Sequence, residues 1–454
     1  MNYAELIERQ RAYFAAGSTR GYEERRKALD DLRQALMLFE KRLYEALQED
    51  LNKQEYEAYL TELSVVYGEI RYFRRHLKAF MKNRRVAGPQ GFFAKSYMNP
   101  EPYGVALIIS PWNYPVNLTL MPLIGAIAAG NCAVVKCSAK APKTAAVLSE
   151  MLSSVFQDEY IAVVTDAHEE CGDMLLQKWD YIFFTGSREA GQKVMAAAAE
   201  NFIPTTLELG GKNPVIIDPT ANLKIAAKRV AFGKCVNAGQ TCVAPDYVLI
   251  HEDVRDAFVQ EYEKVLKKFF RKGDMSKMAT IVNDEHFERL TALLEGQSPA
   301  IGGESNAERR FIPPTVLTDV TPESPAMERE IFGPILPLIT WTDLNWCVDF
   351  IHAHEKPLAL YIFTEDKAVA QRVMSECSFG GGCVNDTMLQ AHARGLAFGG
   401  VGASGIGQYH GKKSFETFTH YRAIVERKAW PEQRMRHFPH GKLKLFFLRL
   451  AVRR

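Results

Sequence analysis

The sequence predicts an α/β protein built on parallel sheets. Two observations carry that reading. Short, strongly apolar runs recur along the chain (YGVALIISP, CAVVKC, IAVVTD, YIFFTG and NPVIIDP), and each is too short for a helix and ends at Gly, Pro or a polar residue. Between them lie longer segments with helical periodicity, such as REAGQKVMAAAAE. Strand and helix alternating in this way is βαβ logic, which places helices over both faces of a parallel sheet.

Taken in order, residues 1 to about 85 read as long amphipathic helices. Leu29, Leu32, Leu36, Leu38 and Phe39 recur near helical spacing, and Leu43 and Leu47 extend the face. EYEAYLTELSVVYGEIRYFRRHLKAFM continues the pattern. From Tyr103 the apolar strand runs begin. LTLMPLIGAIAAG reads as a helix stopped by Gly130, and APKTAAVLSEML as a helix started by proline. From about 210 to 400 the style repeats: helices at ANLKIAAKRVAFGKCV and HEDVRDAFVQEYEKVLKKFF, strands at PILPLITW and LALYIFTE, and a helix at KAVAQRVMSE. The tail GKLKLFFLRLAVRR mixes apolar and basic residues. It can lie on an acidic membrane surface, or pack on the body or on a partner subunit.

Bulk properties narrow the function. The chain of 454 residues has 56 Lys and Arg against 54 Asp and Glu, a balance that does not call for nucleic acid. The eight cysteines, at 132, 137, 171, 235, 242, 347, 377 and 383, form no CxxC pair and no zinc-finger spacing, so no metal site is expected and a reducing compartment fits. The N-terminus carries acidic residues and no apolar run of a signal peptide, and no stretch reaches 18 apolar residues. A cytoplasmic location is expected.

Several local patterns carry chemistry. GQTC at 239–242 puts Cys242 after a turn that can expose it; taken alone it could equally be one more buried thiol. LELGGKNP at 207–214 puts Glu208 among apolar residues and glycines, as a capping carboxylate or as a base whose pKa burial would raise. SPWNYP at 110–115 sets Asn113 after a strand end, where it can satisfy a turn or aim an amide at a ligand. FFTGSREAG at 183–191 is a glycine turn before a helix, able to hold a phosphate, but without the usual dinucleotide fingerprint. EREIFGP at 328–334 and the glycine-rich FGGVGASGIGQYHGKKSF from Phe398 complete the set.

In their order, from PWNYP to YHGKKSF, these motifs resemble the aldehyde dehydrogenase superfamily, and within it the short class 3 branch of fatty and aromatic aldehyde dehydrogenases. The resemblance covers nearly the whole chain. It implies the aldehyde dehydrogenase fold: a Rossmann-like cofactor domain, an α/β catalytic domain and a small oligomerisation element. The implied division is 1–207 for the N-terminal helices and cofactor domain (with part of the oligomerisation element near 85–103), 208–410 for the catalytic domain, and 411–454 for the return and tail.

It also implies roles. Cys242 would attack the aldehyde carbon, a task suited to a thiolate that can later leave from a thioester. Asn113 and the Cys242 backbone N–H would hold the oxyanion, where losing one donor typically costs about 3–4 kcal/mol. Glu208 would activate the hydrolytic water. NAD or NADP would be held by Trp112, Lys136, Gly186, Ser187, Gly191, Leu209, Glu330 and Phe332, with Glu330 also an alternative base. Tyr67, Tyr114, Asn385 and His410 would shape a substrate pocket for a medium- or long-chain aliphatic or an aromatic aldehyde. A homodimer is the assembly typical of the branch. Two positions depart from the family pattern. The lysine at 136 is followed by Cys137, Ser138 and Ala139, so the Glu expected to meet the adenine-ribose 2′-hydroxyl is missing. Its absence removes a repulsion against a 2′-phosphate, and Lys140 lies next to it, so use of NADP is expected. Ala397 stands where proline is common.

Overall fold

The computed structural model describes residues 2–87, 94–165, 172–393, 395–430 and 437–452. Cys171, the last residue of the run IAVVTD, part of the segment near 85–103, Arg434, Arg436 and the two terminal arginines lie outside them. By packing, the chain divides into two compact units, Met1–Phe80 with Pro102–Thr419, and Met81–Glu101 with His420–Arg454.

The strands, in chain order, are β1 (Arg84–Val86), β2 (Ala94–Pro102), β3 (Val105–Ile109), β4 (Cys132–Lys136), β5 (Ile161–Val164), β6 (Tyr181–Gly186), β7 (Thr205–Leu209), β8 (Pro214–Ile217), β9 (Tyr247–His251), β10 (Thr315–Leu317), β11 (Ile335–Trp341), β12 (Ala359–Phe363), β13 (Gly381–Val384), β14 (Gly405–Ile406) and β15 (Thr419–Arg427). The first unit holds two six-stranded sheets, ordered β14-β7-β6-β3-β4-β5 and β10-β11-β9-β8-β12-β13. Every pairing in them is parallel except β14 on β7. This is an α/β fold of two mostly parallel sheets, the first of them Rossmann-like in its strand order. β3 and β4 are buried at every position, as their unbroken apolar runs require of strands covered on both faces.

In the first sheet the chain runs outward from β3 to β4 and β5 on one side and to β6 and β7 on the other. The switch point therefore lies between β3 and β6, where open α/β sheets bind ligands at the carboxyl ends of their strands. Those ends carry the 110–115 and 186–191 motifs. The chain returns to this sheet at β14, through residues 405–406 rather than after 410. The glycines around β14 are there for close approach: a Cβ on Gly405 would lie 2.5 Å from the Leu207 carbonyl oxygen, and one on Gly400 2.1 Å from that of Ser404. β7 escapes a simple apolar reading because its sequence, TTLEL, mixes polar residues into a buried strand.

The helix Tyr22–Leu51 buries Leu29, Leu32, Leu36, Leu43 and Leu47 and packs on the helix Pro142–Ser153. Each such leucine contributes roughly 1.5–3 kcal/mol. Leu38, expected on that face, is 81% exposed; two residues beyond Leu36, it points to the other side of the helix. The next segment is not one continuous helix. A helical turn, Glu55–Ala58, passes through a π-helical turn, Tyr59–Leu63, into the helix Ser64–Phe80.

In the second unit, the antiparallel β2 lies between β1 and β15. The tail forms a helix, Lys442–Val452. No helix among the described residues is long and apolar enough to cross a membrane.

Candidate active site

The helix Leu223–Cys235 delivers the chain to Cys242 through an unusual turn. Asn237, Ala238 and Gly239 follow one another with φ of 50°, 52° and 71°. The left-handed region costs a non-glycine residue about 1–3 kcal/mol, so such a turn persists only where its surroundings enforce it. Here they do. The Asn237 N–H donates to Glu57 Oε1 (2.7 Å), and its side-chain amide donates to the carbonyls of Asn113 (2.8 Å) and Gln240 (3.0 Å). The fully buried Gln240 donates to the carbonyls of Asn237 and Thr280 and accepts from the Val282 N–H. A Cβ on Gly239 would sit 2.4 Å from the Gly333 carbonyl oxygen, so only glycine fits. The Cys242 carbonyl then accepts from Asn213 Nδ2 at 2.8 Å, which ties the GQTC motif to LGGKNP.

Cys242 is partly buried. Burial, and then the carboxyls of Glu330 and Glu208, push its pKa up to about 12, against the pull of the Cys242 and Val243 backbone N–H groups. A resting thiol is therefore protonated at neutral pH. Asn113 is also buried, and its Nδ2 donates to the Gln240 carbonyl at 3.1 Å. One of the two amide hydrogens is held by that bond, which fixes the amide and leaves the other for a ligand.

Glu208 is 2% exposed, the next-to-last residue of β7, and neither carboxylate oxygen has a hydrogen-bond partner among the described residues. Burial alone holds its carboxyl far above the ordinary range. Glu330 is pushed up to about 8 by burial and by Asp246, while the Gly211 N–H, Lys212 and Arg289 pull it down. It lies so close to the glycine pair that a Cβ on Gly210 would stand 2.0 Å from its Oε2.

Asp246, which no sequence signal marked, orders this corner. Its Oδ2 takes Lys212 Nζ at 2.6 Å and its Oδ1 takes the Ile331 N–H at 2.9 Å, which joins the LGGKNP and EREIFGP motifs. Arg289 holds the Ile331 carbonyl from the other side at 2.7 Å.

The residues expected to hold a dinucleotide fit that use. Ser187 caps the helix Arg188–Glu200, so the turn after β6 presents a helix N-terminus at the switch point. A Cβ on Gly191 would lie 2.6 Å from Leu209 Cδ2; this glycine lets the helix approach β7. Lys136 is buried at the end of β4, with Nζ donating to the Cys137 carbonyl at 2.9 Å. Trp112 and Phe332 meet edge to face at 5.5 Å, and Phe332 holds a left-handed φ of 51°. Lys140 Nζ lies 3.5 Å from His286 Nε2, and burial first, then Lys140, pushes that imidazole down to about 4.

An apolar cavity of about 350 Å³ opens beside the site, walled by Leu60, Val65, Met121, Phe232, Val236 and Leu389, with Glu69, His392 and His410 as polar members. Of the four residues expected to shape a substrate pocket, His410 is on this wall and three are not. Tyr67 points away, its hydroxyl donating to Glu40 at 2.7 Å, because the helix Ser64–Phe80 turns that side towards Tyr22–Leu51. Tyr114 is buried behind the site, its hydroxyl 2.6 Å from Thr241 Oγ1. Asn385, at φ 58°, closes a turn by bonding the Thr364 N–H and carbonyl. His410 stacks on Phe398 at 5.3 Å, and burial and His392 push its imidazole down to about 3, so it is neutral. The buried Tyr409 beside it is close enough to feel the charges of Glu208, Cys242 and Glu69. Among the described residues no group of three or more His, Cys, Asp or Glu could hold a metal ion.

The sequence profile of the aldehyde dehydrogenase family matches residues 2–424. The chain is 44% identical to a 4,4′-diaponeurosporen-aldehyde dehydrogenase of Staphylococcus aureus, over 97% of this chain and 96% of that one. It is 42% identical to human aldehyde dehydrogenase family 3 member B1 (99% and 97% covered), and 40% identical to a canine "aldehyde dehydrogenase, dimeric NADP-preferring" (93% and 94%). A structure of the substrate-bound state of Staphylococcus aureus AldH superimposes with a TM-score of 0.97 at 43% identity, covering 100% of both chains.

Proposed function

The chain belongs to the aldehyde dehydrogenase family, and from that premise we propose how its residues divide the NAD(P)-dependent oxidation of an aldehyde to a carboxylic acid. Cys242 first gives its thiol proton to solvent or to Glu208; the thiolate Sγ then attacks the aldehyde carbon, and the oxyanion is held by the remaining Asn113 amide hydrogen and the Cys242 N–H. A nicotinamide bound at the switch point supplies the hydride acceptor. The acyl group left on sulfur is then hydrolysed: Glu208 takes a proton from water, the water oxygen bonds the acyl carbon, and the C–S bond breaks to return the thiolate.

The observation that carries this reading is the buried carboxyl of Glu208, neither oxygen of which has a hydrogen-bond partner among the described residues. A native structure rarely leaves such a group unsatisfied without a functional reason. Burial raises its pKa well above the ordinary carboxylate range, which makes the ionised carboxylate a stronger base towards water. The test is Glu208→Gln under rapid mixing. We expect a burst of reduced cofactor approaching one per site, followed by turnover slowed by about 10²–10⁴-fold. Parent-rate steady turnover would refute the assignment. Loss of the burst as well would show that Glu208 also takes the thiol proton.

The apolar cavity supports a medium- or long-chain aliphatic or an aromatic aldehyde as substrate; the Staphylococcus relative is named for a 4,4′-diaponeurosporen-aldehyde. The missing carboxylate at Ala139 supports use of NADP at least as well as NAD. A homodimer is proposed from the canine relative described as dimeric. On the helix Lys442–Val452, Leu443, Phe446 and Leu448 are exposed beside Lys442, Lys444 and Arg449. This pattern supports peripheral contact of the tail with an acidic membrane surface. Co-sedimentation with anionic but not zwitterionic vesicles tests it.

A further inference from the structure

Behind the site lies a group of buried charges to which the chemistry above gives no task. The side chains of Lys53 and Glu62 are both wholly shielded from solvent, and they pair at 2.6 Å. A buried ion pair is weak evidence for stability, since well-packed apolar residues of similar volume often do as well or better. What distinguishes this one is where its remaining bonds go. Lys53 Nζ donates to the Asn113 carbonyl at 3.1 Å and stands 4.3 Å over the Tyr114 ring. Glu62 Oε2 accepts the N–H groups of Val116 (3.0 Å) and Asn117 (2.9 Å) at the start of the helix Asn117–Ala129. Glu57, one turn before Glu62, takes the Asn237 N–H.

We propose that Lys53, Glu57 and Glu62 are positioning residues that set the distance between the oxyanion amide of Asn113 and the thiol of Cys242. The inference rests on the roles assigned to those two residues above. The loop of Asn113 and the left-handed turn before Cys242 are far apart in sequence, yet both are referenced to the one short segment 53–62. Direct bonds between the loops, from Asn237 to the Asn113 carbonyl and from Tyr114 to Thr241, complete the frame. Glu62 sits in the π-helical turn Tyr59–Leu63, whose wider winding changes the direction of its side chain from that in a continuous α-helix. Single π-turns inside helices occur frequently at functional sites, and here the turn aims a carboxylate at two backbone donors. A misplacement of about 1 Å at an oxyanion donor can cost about 100-fold in rate.

The test compares Lys53→Met, Glu62→Met and the double variant with the parent and with Cys242→Ala. It measures melting temperature, kcat and KM for aldehyde oxidation, and hydrolysis of p-nitrophenyl acetate, which needs a thiol and an oxyanion site but no hydride transfer. Each single variant is expected to lose about 10- to 100-fold in kcat, with the KM for cofactor unchanged and ester hydrolysis falling in parallel. The double variant is expected to regain melting temperature but not kcat, because the bonds to Asn113, Val116 and Asn117 stay lost. A double variant with parent kcat, or kcat losses that track melting temperature across the set, would overturn the proposal. Parent-rate oxidation by Cys242→Ala would instead overturn the functional reading, and the positioning role with it.

Discussion

Two glutamates buried in the same unit are treated in opposite ways. Glu62 has an oxygen on an ammonium and an oxygen on two backbone N–H groups. Glu208, just as buried, has no hydrogen-bond partner among the described residues. The same burial that makes an unsatisfied carboxyl costly is offset at Glu62 and left standing at Glu208. The contrast separates two jobs: a carboxylate that must hold still is saturated with donors, and one that must exchange a proton is starved of them.

The contrast is sharpest if both are replaced by methionine. Glu208→Met is expected to stabilise the protein by about 1–3 kcal/mol, since it removes a buried polar group without a partner. It should also slow turnover by about 10²–10⁴-fold. Glu62→Met should destabilise by about 3–5 kcal/mol, because Lys53 is left buried and unpaired. Denaturant titration measures both. A destabilised Glu208→Met would mean that its carboxyl has a native partner. The pH dependence follows in sign. Burial raises the folded-state pKa of Glu208 above its unfolded value, so its contribution to stability is most favourable at low pH and is lost as pH rises above the ordinary carboxylate range. The stability advantage of Glu208→Gln over the parent should therefore widen from acidic to neutral pH. A gap that narrowed would reverse the assignment.

A smaller effect probes the left-handed turn before Cys242. In Gly239→Ala the new Cβ meets the Gly333 carbonyl oxygen, and a third consecutive non-glycine residue, after Asn237 and Ala238, enters the left-handed region. We expect a loss of about 1–3 kcal/mol of stability and, from displacement of Cys242, roughly tenfold in kcat. Unchanged kcat would show that the turn adapts without moving the thiol.

How much of this was legible in the sequence depended on whether the signal was local. The strand runs at β3, β4, β6 and β8 stand out because a strand buried on both faces must be apolar throughout. Cys242, Glu208 and Asn113 lie in short motifs whose order is itself informative. Lys53, Glu57, Glu62 and Asp246 have no such mark. Their partners are far away in sequence, and in KQEYEAYLTE they look like the polar side of an amphipathic helix, where lysine and glutamate are ordinary. Nothing in that pattern shows the π-helical turn, which depends on what the helix meets. The partner of Tyr67 is hidden for a related reason: its hydroxyl meets Glu40, 27 residues away, which no local pattern shows.

Ala139 adds a third treatment of a carboxylate, which is to omit it. After β4 and Lys136 the family pattern expects a glutamate, and this chain has none. The comparison with Glu62 and Glu208 suggests how to restore it. In Ala139→Glu a carboxylate close to the adenine ribose would accept from a 2′-hydroxyl and repel a 2′-phosphate, with Lys140 next to it softening the repulsion. The expected change is a fall of about tenfold in kcat/KM for NADP relative to NAD, the size of one partly screened charge contact. Melting temperature and kcat with NAD should hold, since no buried group is left without its partner. Steady-state kinetics with both cofactors on one aldehyde measures the ratio. A parent enzyme already favouring NAD by tenfold or more would show that backbone geometry, rather than the absent carboxylate, governs the choice.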